Sequence, residues 1–431
     1  MGRASAGSRN GPLHGVRVLE FSLVFSAPYA GIQLSDLGAE VIKVEPPGGE
    51  PFRNLGTPVP GYSKPFQWAN RGKQSLVVDL RRPEGRAVIE RLLPQTDVVL
   101  INYRPGVAKQ LGLDYEALSA IKPDLIYADI NGFGSEGPLA ELPASDIVAQ
   151  AYGGAVALDA KLDDSGAPVG PALPVGDLPS GIAAAMGISA ALYQRERTGQ
   201  GQCLSVSLLR TVMQMGFIHV MVEPVNDEVL RDFIVAEIER RRASGSSYAD
   251  LVSVRSELGI RGSPMSLYFS GYCAKDGGLV LGALTPANRN ACRSVLGIDD
   301  DPSDDPGFDG SDPANQRKVE ALRDRIRAIL MKKTVEEWTQ LFIEAGAPAA
   351  PVILPEDLPS HPQASLHFME LQSEITGPQK QVRPLVELSA SPTAPRAAAP
   401  VIGGHTDRVL ADVGGYGESE IKALREAGVV G

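Results

Sequence analysis

Cysteine is scarce in this chain of 431 residues: Cys203, Cys273 and Cys292 are its three, and none forms a CxxC pair. So few cysteines exclude a disulfide framework and favour a reducing compartment, so the sequence predicts a cytoplasmic protein. Histidine is also rare, and the spacing of His361 and His367 does not put both on one helical face. We therefore expect no metal site. No apolar run approaches the roughly 18 residues of a membrane-spanning helix, so we expect no membrane span.

Positive charge is in deficit, since 41 basic residues face 52 acidic ones and the formal net charge is −11. A balance of this sign argues against a general binder of nucleic acids or anionic membranes. The apolar fraction of 43% and charged fraction of 22% are those of an ordinary globular protein. At about 150 residues per domain, the length suggests two or three domains. Residues 1–12 are small and polar, and we predict a disordered tail rather than a signal peptide there.

The first half of the chain alternates between short apolar runs and helical patterns. The runs predict six strands, at 16–21, 40–45, 75–80, 97–102, 125–130 and 203–208. Helices are predicted between them, at 26–37, at 83–93, from 146 and at 179–194. Apolar strands that alternate with helices indicate an α/β fold with a parallel sheet covered on both faces.

The character of the chain changes after about residue 225. A charged helix is predicted within 227–250, a hairpin at 268–284, and helices at 315–331 and 334–345. Seven aspartates lie in 299–312 without the spacing of a calcium loop, and we expect a solvated acidic loop there. The chain then runs through strand and loop at 374–400 to two helices that begin at 405 and 417.

A glycine motif follows the fifth predicted strand. Gly132 to Gly137 read GFGSEG and match G-x-G-x-x-G, the pattern of dinucleotide-binding turns. Such a turn must open a helix, and Pro138 and Pro143 prevent one. We therefore predict a tight turn and no nicotinamide or flavin site.

Asp177 stands in the string PVGDLPSG, just before the predicted helix at 179–194. One interpretation is a helix N-cap, whose carboxylate would accept backbone N–H groups. The other is a carboxylate nucleophile at the carboxyl edge of a parallel sheet, kept ionised by the helix dipole. The position alone does not separate the two.

Basic and amide side chains recur in three loops that follow strands, at 70–73, 80–82 and 102–106. Their recurrence at strand ends favours a phosphate-bearing ligand. The alternative is solvated surface charge.

Long stretches of the chain resemble the family III CoA-transferases, which include formyl-CoA transferase, the carnitine CoA-transferases and the α-methylacyl-CoA racemases. The stretches are SDLGAEVIKVEPPGGEPFR at 35–53, NRGKQSLVVDLRRPEG at 70–85, NYRPGVAKQLGLDYEAL at 102–118, INGFGSEGP at 130–138 and GDLPSGIAAAMGISAALYQRERTGQGQCLSVSLL at 176–209. Two later pieces fit as well, TVEEWTQLFIEAGAPAAPV at 334–352 and GGHTDRVLADVG at 403–414.

The resemblance implies a fold: a Rossmann-like large domain built from both chain ends, at 13–225 and 377–431, and a smaller central α+β domain. That smaller domain and its linkers would occupy 226–376. The resemblance also implies an interlocked homodimer.

The resemblance implies roles as well. Asp177 matches the family's aspartate nucleophile, and coenzyme A would be substrate and carrier, with no permanently bound cofactor. The expected contacts with coenzyme A are the residues at Val24, Val78, Leu80, Arg81, Asn102 and Tyr103. The substrates would be an acyl-CoA and a carboxylic acid, and the reaction would pass through an aspartyl anhydride and an aspartyl-CoA thioester. Independently of the resemblance, we expect the backbone amides of Gly153 and Gly154 to stabilise the oxyanions.

The chain departs from its relatives at several positions. Phe25 stands where formyl-CoA transferase has a glutamine, and Pro46 and Gln110 stand where it has arginines. We therefore expect a less polar acyl pocket and altered phosphate contacts. Racemases carry a His–Asp pair where this chain has Ser145 and Asp146, and the missing histidine removes a base that stereoinversion needs. The sequence thus predicts CoA transfer, with a 2-methylacyl-CoA racemase or a non-catalytic CoA-binding protein as alternatives.

Overall fold

The computed structural model describes residues 11–258, 265–310 and 312–431, so residues 1–10 of the predicted tail lie outside it. Gly11 and Pro12 are described, and the chain is anchored from there, since Leu13 N–H donates to Leu37 O at 2.9 Å. The chain folds into two compact units. The described part of the first runs to Lys161 and continues through Pro168–Met221 and Leu366–Gly431; the second comprises Leu162–Ala167 and Val222–Ser365.

A six-stranded parallel sheet forms the middle of the first unit. Its strands are β1 Arg17–Phe21, β2 Glu40–Glu45, β3 Gln74–Val77, β4 Val98–Ile101, β5 Ile126–Asn131 and β6 Gln202–Ser207. Their order is β3-β2-β1-β4-β5-β6, and every pair is parallel. The predicted α/β class and all six strands are confirmed, with ends that shift by up to three residues. In this order the connections from β1 and β4 leave in opposite directions, which opens a crevice at their carboxyl ends.

Ten helices precede the second unit's main segment in the described chain. They are α1 Ser26–Asp36, α2 Lys64–Ala69, α3 Pro83–Leu92, α4 Val107–Gln110, α5 Tyr115–Ile121, α6 Asp146–Tyr152, α7 Ala155–Asp159, α8 Asp177–Thr198, α9 Leu208–Met215 and α10 Phe217–Val220. Short 3-10 helices occur at Pro51–Asn54 and Leu93–Gln95.

Side chains alternate across the strands and so build two cores. Val18 of β1 packs in one cluster with Ala30 of α1 and Ile188 of α8. Leu19, the next residue, packs on the opposite face with Val88 of α3. Because both faces of the sheet are covered, apolar strand residues are buried on both sides of it.

The second unit is helical with a small antiparallel sheet. Its helices are α11 Pro224–Leu230, α12 Asp232–Ala243, α13 Tyr248–Leu258, α14 Met265–Tyr268, α15 Pro286–Leu296, α16 Pro313–Leu330 and α17 Val335–Glu344. Its strands are β7 Phe269–Cys273, β8 Gly278–Gly282 and β9 Ala349–Pro351, in that order. The antiparallel pairing of β7 with β8 confirms the predicted hairpin. Further 3-10 helices lie at Pro302–Asp304, Pro355–Ser360 and Ala364–His367.

The prediction that the acidic loop at 299–312 is solvated is wrong for one of its aspartates. Asp301 is only 4% exposed and accepts a hydrogen bond from Tyr268 Oη at 2.7 Å. One of the seven aspartates is therefore a buried acceptor that ties the loop to the core.

The chain returns to the first unit through a hairpin of β10 Phe368–Ser373 and β11 Gly377–Val382. The two predicted closing helices follow as α18 Thr406–Asp412 and α19 Glu418–Glu426. Beyond them, Val430 forms an antiparallel bridge with Val78, directly after β3. Within the described ranges no helix is long and apolar enough to cross a bilayer.

Candidate active site

The turn from β1 to α1 lies at the crevice between β1 and β4. Val24 in this turn has a φ of 66°, in the left-handed region that non-glycine residues avoid, and is 38% exposed. Asn102, directly after β4, forms hydrogen bonds with both backbone groups of Leu23, the residue before Val24. Leu23 N–H donates to Asn102 Oδ1 and Asn102 Nδ2 donates to Leu23 O, each at 2.9 Å. Strain of this kind persists where the surroundings over-determine it.

A buried ion network supports the same turn from below. Lys43 Nζ donates to Ser22 O at 3.0 Å, and Lys73 Nζ donates to Pro28 O at 2.8 Å. Both ammonium groups contact Glu20 Oε1, at 3.3 and 2.8 Å. Burial lowers the pKa of Lys73 to about 8. The carbonyl groups on either side of the turn are thus fixed by charges that water does not reach.

This burial corrects the prediction that loop 70–73 faces a phosphate. Asn70, Arg71 and Lys73 are all buried, and Arg71 pairs with Asp36 at 2.7 Å. The interpretation as solvated charge is equally wrong for this loop, because its cations form internal ion pairs.

The other two loops keep exposed cations. Arg104 is exposed, and the side chain of Arg81 is 81% exposed although it donates twice to Asp79, at 2.8 and 2.9 Å. The guanidinium of Arg81 holds the pKa of the Asp79 carboxyl below its usual value.

The remaining predicted contacts for coenzyme A are buried or half-buried. The side chains of Val78 and Leu80 pack in the core, so either residue can offer a ligand little besides its backbone. Tyr103 is half-buried, with its ring edge-on to Phe21 at 6.5 Å. Burial raises the pKa of Tyr103 to about 12, so the phenol keeps its proton at neutral pH.

Asp177 is the first residue of α8, so the interpretation of Asp177 as the helix N-cap is wrong. Gly176 occupies the cap position, and no side chain of this turn caps α8. The helix start is held instead by Asp146, the first residue of α6. Asp146 Oδ1 accepts from the backbone N–H groups of Gly176 at 2.8 Å and Asp177 at 2.9 Å. The next amide, of Leu178, donates to Pro174 O at 3.2 Å.

Asp177 is 7% exposed, and among the described residues no group donates a hydrogen bond to its carboxyl. Burial, and then the neighbouring Asp146 carboxylate, raise its pKa to about 7. The expectation that the helix dipole keeps this group ionised is corrected, because burial and a like charge oppose ionisation.

Helices α1 and α8 bring Asp177 to the β1–α1 turn. Both helices run back from the carboxyl edge of the parallel sheet, so both begin at that edge. They touch at Gly181, where a Cβ atom would lie 2.7 Å from Ser26 O and 3.1 Å from Ala30 N. Asp177 lies one helical turn before Gly181, so it and the β1–α1 turn lie at the same edge of the sheet.

The two glycine turns behave differently from each other. The segment from Gly132 to Gly137 opens no helix, which confirms the predicted tight turn; the φ values of Gly134 and Gly137 are 99° and 94°. The expected oxyanion donors are not free, since Gly153 N–H donates to Ala149 O at 2.8 Å and Gly154 N–H to Ala151 O at 3.4 Å.

The chain is similar in sequence to known proteins along nearly its whole length. The family described as CoA-transferase family III matches residues 13–406. Human succinyl-CoA:glutarate CoA-transferase is 30% identical over 97% of this chain and 90% of its own length. Succinyl-CoA–D-citramalate CoA-transferase of Chloroflexus aurantiacus is 30% identical over 97% of this chain and 98% of its own.

Solved structures of other proteins are similar to this chain in fold. The hypothetical protein Rv3272 of Mycobacterium tuberculosis superposes with a TM-score of 0.74 at 26% identity, covering 93% of this chain and all (100%) of that one. A CAIB/BAIF family protein from Brucella suis gives a TM-score of 0.71 at 27% identity, with 94% of this chain and 100% of that chain covered.

Proposed function

Because the chain belongs to CoA-transferase family III, and so moves coenzyme A from an acyl-CoA to a carboxylic acid, we propose that Asp177 is its nucleophile. The observation that carries this proposal is the state of the Asp177 carboxyl: buried, without a hydrogen-bond donor, and raised in pKa to about 7. A carboxylate with little water around it and no hydrogen-bond donor is a stronger nucleophile than a fully solvated one, and with a pKa of about 7 it becomes available near neutral pH.

The proposed reaction has two exchanges. In the first, an Asp177 oxygen attacks the thioester carbonyl of the donor, the C–S bond breaks, and an aspartyl-acyl anhydride and CoA thiolate result. The thiolate attacks the Asp177 carbonyl of the anhydride, which releases the donor acid as carboxylate and leaves an aspartyl-CoA thioester. In the second exchange the acceptor carboxylate attacks this thioester, and the released thiolate attacks the acceptor's carbonyl. The new acyl-CoA leaves and the Asp177 carboxylate returns.

Asp146 is a positioning residue in this proposal. It accepts from the backbone N–H groups of Gly176 and Asp177, so it fixes where the nucleophile starts. Its charge also weakens the acidity of Asp177. The same carboxylate therefore orients the nucleophile and, in addition to burial, raises the pH at which it ionises.

We propose that coenzyme A lies along the carboxyl edge, against Val24, Val78, Leu80, Arg81, Asn102 and Tyr103. Support comes from the exposed guanidinium of Arg81, which can meet a phosphate, and from the protonated phenol of Tyr103. Asn102 is committed to Leu23, so it would act by holding the turn rather than by binding the ligand itself.

Several wider features belong to the same proposal. Coenzyme A would be substrate rather than a resident cofactor, the first compact unit would be the CoA-binding large domain, and the chain would act in the cytoplasm without nucleic acid. A homodimer is supported by large apolar side chains on α8 and α10 that are exposed to solvent. Met186 is 69% exposed, Tyr193 66% and Ile218 72%. Exposed apolar surface of this extent is typical of an interface.

A trapping experiment tests the proposal. Wild-type protein is mixed with an acyl-CoA panel and a pool of carboxylic acids, and mass spectrometry follows new CoA esters and the mass of the peptide that carries Asp177. We expect new esters and a CoA adduct on that peptide, both abolished in Asp177→Ala and retained in Asp164→Asn, which changes an exposed aspartate. Full activity in Asp177→Ala would refute the assignment. Deuterium uptake by a 2-methylacyl-CoA without new esters would indicate a racemase, and binding alone a non-catalytic protein.

A further inference from the structure

We propose that Gln150, a buried side chain on α6, is a further positioning residue for the transfer of coenzyme A. It holds the Asp146 carboxylate in place and ties the segment that precedes Asp177 to the same helix. This inference rests on the proposed role of Asp177. It adds to that role the side chain through which α6 fixes the position of the nucleophile.

Gln150 lies directly behind Asp146. The two residues are four positions apart on α6, so one turn of the helix brings their side chains together. Gln150 Nε2 donates a hydrogen bond to Asp146 Oδ2. The other oxygen, Oδ1, accepts the backbone N–H groups of Gly176 and Asp177. The two oxygens of one carboxylate thus connect Gln150 to the start of α8.

The same amide nitrogen holds the segment that leads to Asp177. Gln150 Nε2 donates to Leu173 O at 3.2 Å, four residues before the proposed nucleophile. Leu173 O also accepts Val175 N–H at 2.9 Å, so the chain turns sharply at this point. The segment is therefore fixed by α6 at its beginning as well as at its end.

Gly176 lets the Asp146 carboxylate come this close to α8. A Cβ atom at Gly176 would lie 2.8 Å from Asp146 Oδ1, which is too short for a real contact. The carboxylate therefore occupies a tight space, and a small displacement would break its bonds to the backbone of α8. Gln150 limits that displacement because it holds the other oxygen.

The stability of the fold does not explain why a glutamine lies here. Gln150 is 1% exposed, and nowhere in the described part of the chain does a group donate to its Oε1. Both partners of the nitrogen, Asp146 Oδ2 and Leu173 O, are acceptors, so turning the amide over would set its oxygen against them. A buried acceptor without a donor costs stability, and an apolar side chain of similar size would avoid that cost. The two acceptors that the nitrogen holds are the reason for the amide.

The first test exchanges the donor and the acceptor of this pair. Gln150→Glu alone sets a second carboxylate against Asp146, so kcat should fall about a hundredfold. In Asp146→Asn/Gln150→Glu the asparagine oxygen can accept the backbone N–H groups while its nitrogen donates to the glutamate. We expect kcat to recover about tenfold or more relative to Gln150→Glu.

A pH profile gives a second readout of the exchange, one that a merely structural role would not move. Burial and then the charge of Asp146 raise the pKa of Asp177. Asp146→Asn removes that charge, and the double variant returns a negative charge to the pair. The rise of kcat/KM should therefore lie at a higher pH in the double variant than in Asp146→Asn.

A second test removes the donor without adding a charge. In Gln150→Met, kcat should fall about tenfold or more while KM for acyl-CoA changes less than about threefold, because the nucleophile is displaced and the ligand is not. Thr96→Val is the matched control. It removes another buried hydrogen bond, from Thr96 Oγ1 to Leu92 O at 3.0 Å, at the amino edge of the sheet. It should lower the melting temperature and leave kcat unchanged.

The outcomes separate this inference from the assignment of Asp177. Equal kcat in Gln150→Met and the wild type, with a CoA adduct still formed on the Asp177 peptide, overturns the role of Gln150 alone. Equal losses of kcat in Gln150→Met and Thr96→Val also overturn it alone, because the loss would then follow stability. No adduct on the Asp177 peptide of the wild type, together with no new CoA ester, overturns both.

Discussion

Asp146 accepts a hydrogen bond from the backbone N–H of Asp177 at 2.9 Å, and its negative charge helps to raise the pKa of the Asp177 carboxyl. One side chain therefore does two things to its neighbour. It fixes the backbone at the start of α8 and discourages ionisation of the carboxyl that the same residue carries.

The pH dependence of transfer should report this relationship. Since Asp177 must be ionised to attack and its pKa is about 7, kcat/KM should rise through pH 7 and level off above it. In Asp146→Asn the like charge is gone while an oxygen still accepts the backbone N–H groups. We expect the rise to move to lower pH in a profile measured from pH 5 to 9. A rise that stays in place in Asp146→Asn would show that the charge of Asp146 does not contribute to the pKa of Asp177.

Ionisation of Asp177 should also lower the free energy of unfolding. Its folded-state pKa of about 7 lies above the ordinary 3.8, so ionisation disfavours the folded state. That penalty is absent below the unfolded pKa, grows as the pH rises and is complete above pH 7. Asp177→Asn should therefore gain about 2 to 4 kcal/mol relative to wild type between pH 4 and pH 8, measured by urea unfolding. The comparison across pH cancels the constant cost of burying the amide, and a pH-independent difference would contradict the burial of this carboxylate.

Asn102 should prove to act through Leu23 and Val24. In Asn102→Ala the two bonds of 2.9 Å to Leu23 are lost, so the left-handed turn should relax. We expect stability to fall by about 1 to 3 kcal/mol and KM for acyl-CoA to rise. Val24→Gly removes the steric cost of a φ of 66°, so the double variant should recover part of both losses. If Val24→Gly worsens Asn102→Ala, the side chain of Val24 itself serves binding.

Gly181 should tolerate no side chain. The Cβ atom of Gly181→Ala would meet Ser26 O at 2.7 Å, so α8 must shift away from α1. We expect a loss of about 2 kcal/mol or more and a kcat reduced at least tenfold, because Asp177 moves with the helix.

The same helix supplies a control for that experiment. At Gly187 a Cβ atom would lie 3.4 Å from a Leu204 methyl carbon, an ordinary contact. Gly187→Ala should be neutral or stabilise by up to about 1 kcal/mol, because alanine favours helix. Thermal melts and transfer assays on both variants make the comparison, and equal damage at the two positions would refute the packing argument.

The sheet and the helix start at Asp177 could be predicted from sequence because their signals are local, whereas the proposed role of Asp177 came from the family resemblance. The buried strand β4 is a continuous apolar run, β2 keeps apolar residues at Val41, Ile42 and Val44, and Asp177 stands in a short string before a helix. The family resemblance, now confirmed by the match over residues 13–406, extended these signals to a function.

What could not be predicted depends on residues far apart in the chain. In the sequence, nothing distinguishes Lys73 from an exposed loop cation. In the structure, its Nζ lies 2.8 Å from Glu20 Oε1 on β1. Asp146 and Asp177 likewise stand at the starts of separate helices, and the sequence between them gives no sign that one caps the other. Charged residues carry no periodic pattern that distinguishes a buried pair from a solvated one, so these pairs emerge only from the fold.

The pairing of Val78 and Asp79, directly after β3, with the last residues of the chain limits the order in which the fold can form during synthesis. Asp79 N–H donates to Val429 O at 2.9 Å, and Val78 is bridged to Val430, so the edge of the sheet gains this neighbour only after residues 429 and 430 have been made. The intervening segment Val222–Ser365 forms a compact unit of its own and emerges earlier. During synthesis β3 therefore stays without this neighbour until the whole of the intervening compact unit has been made.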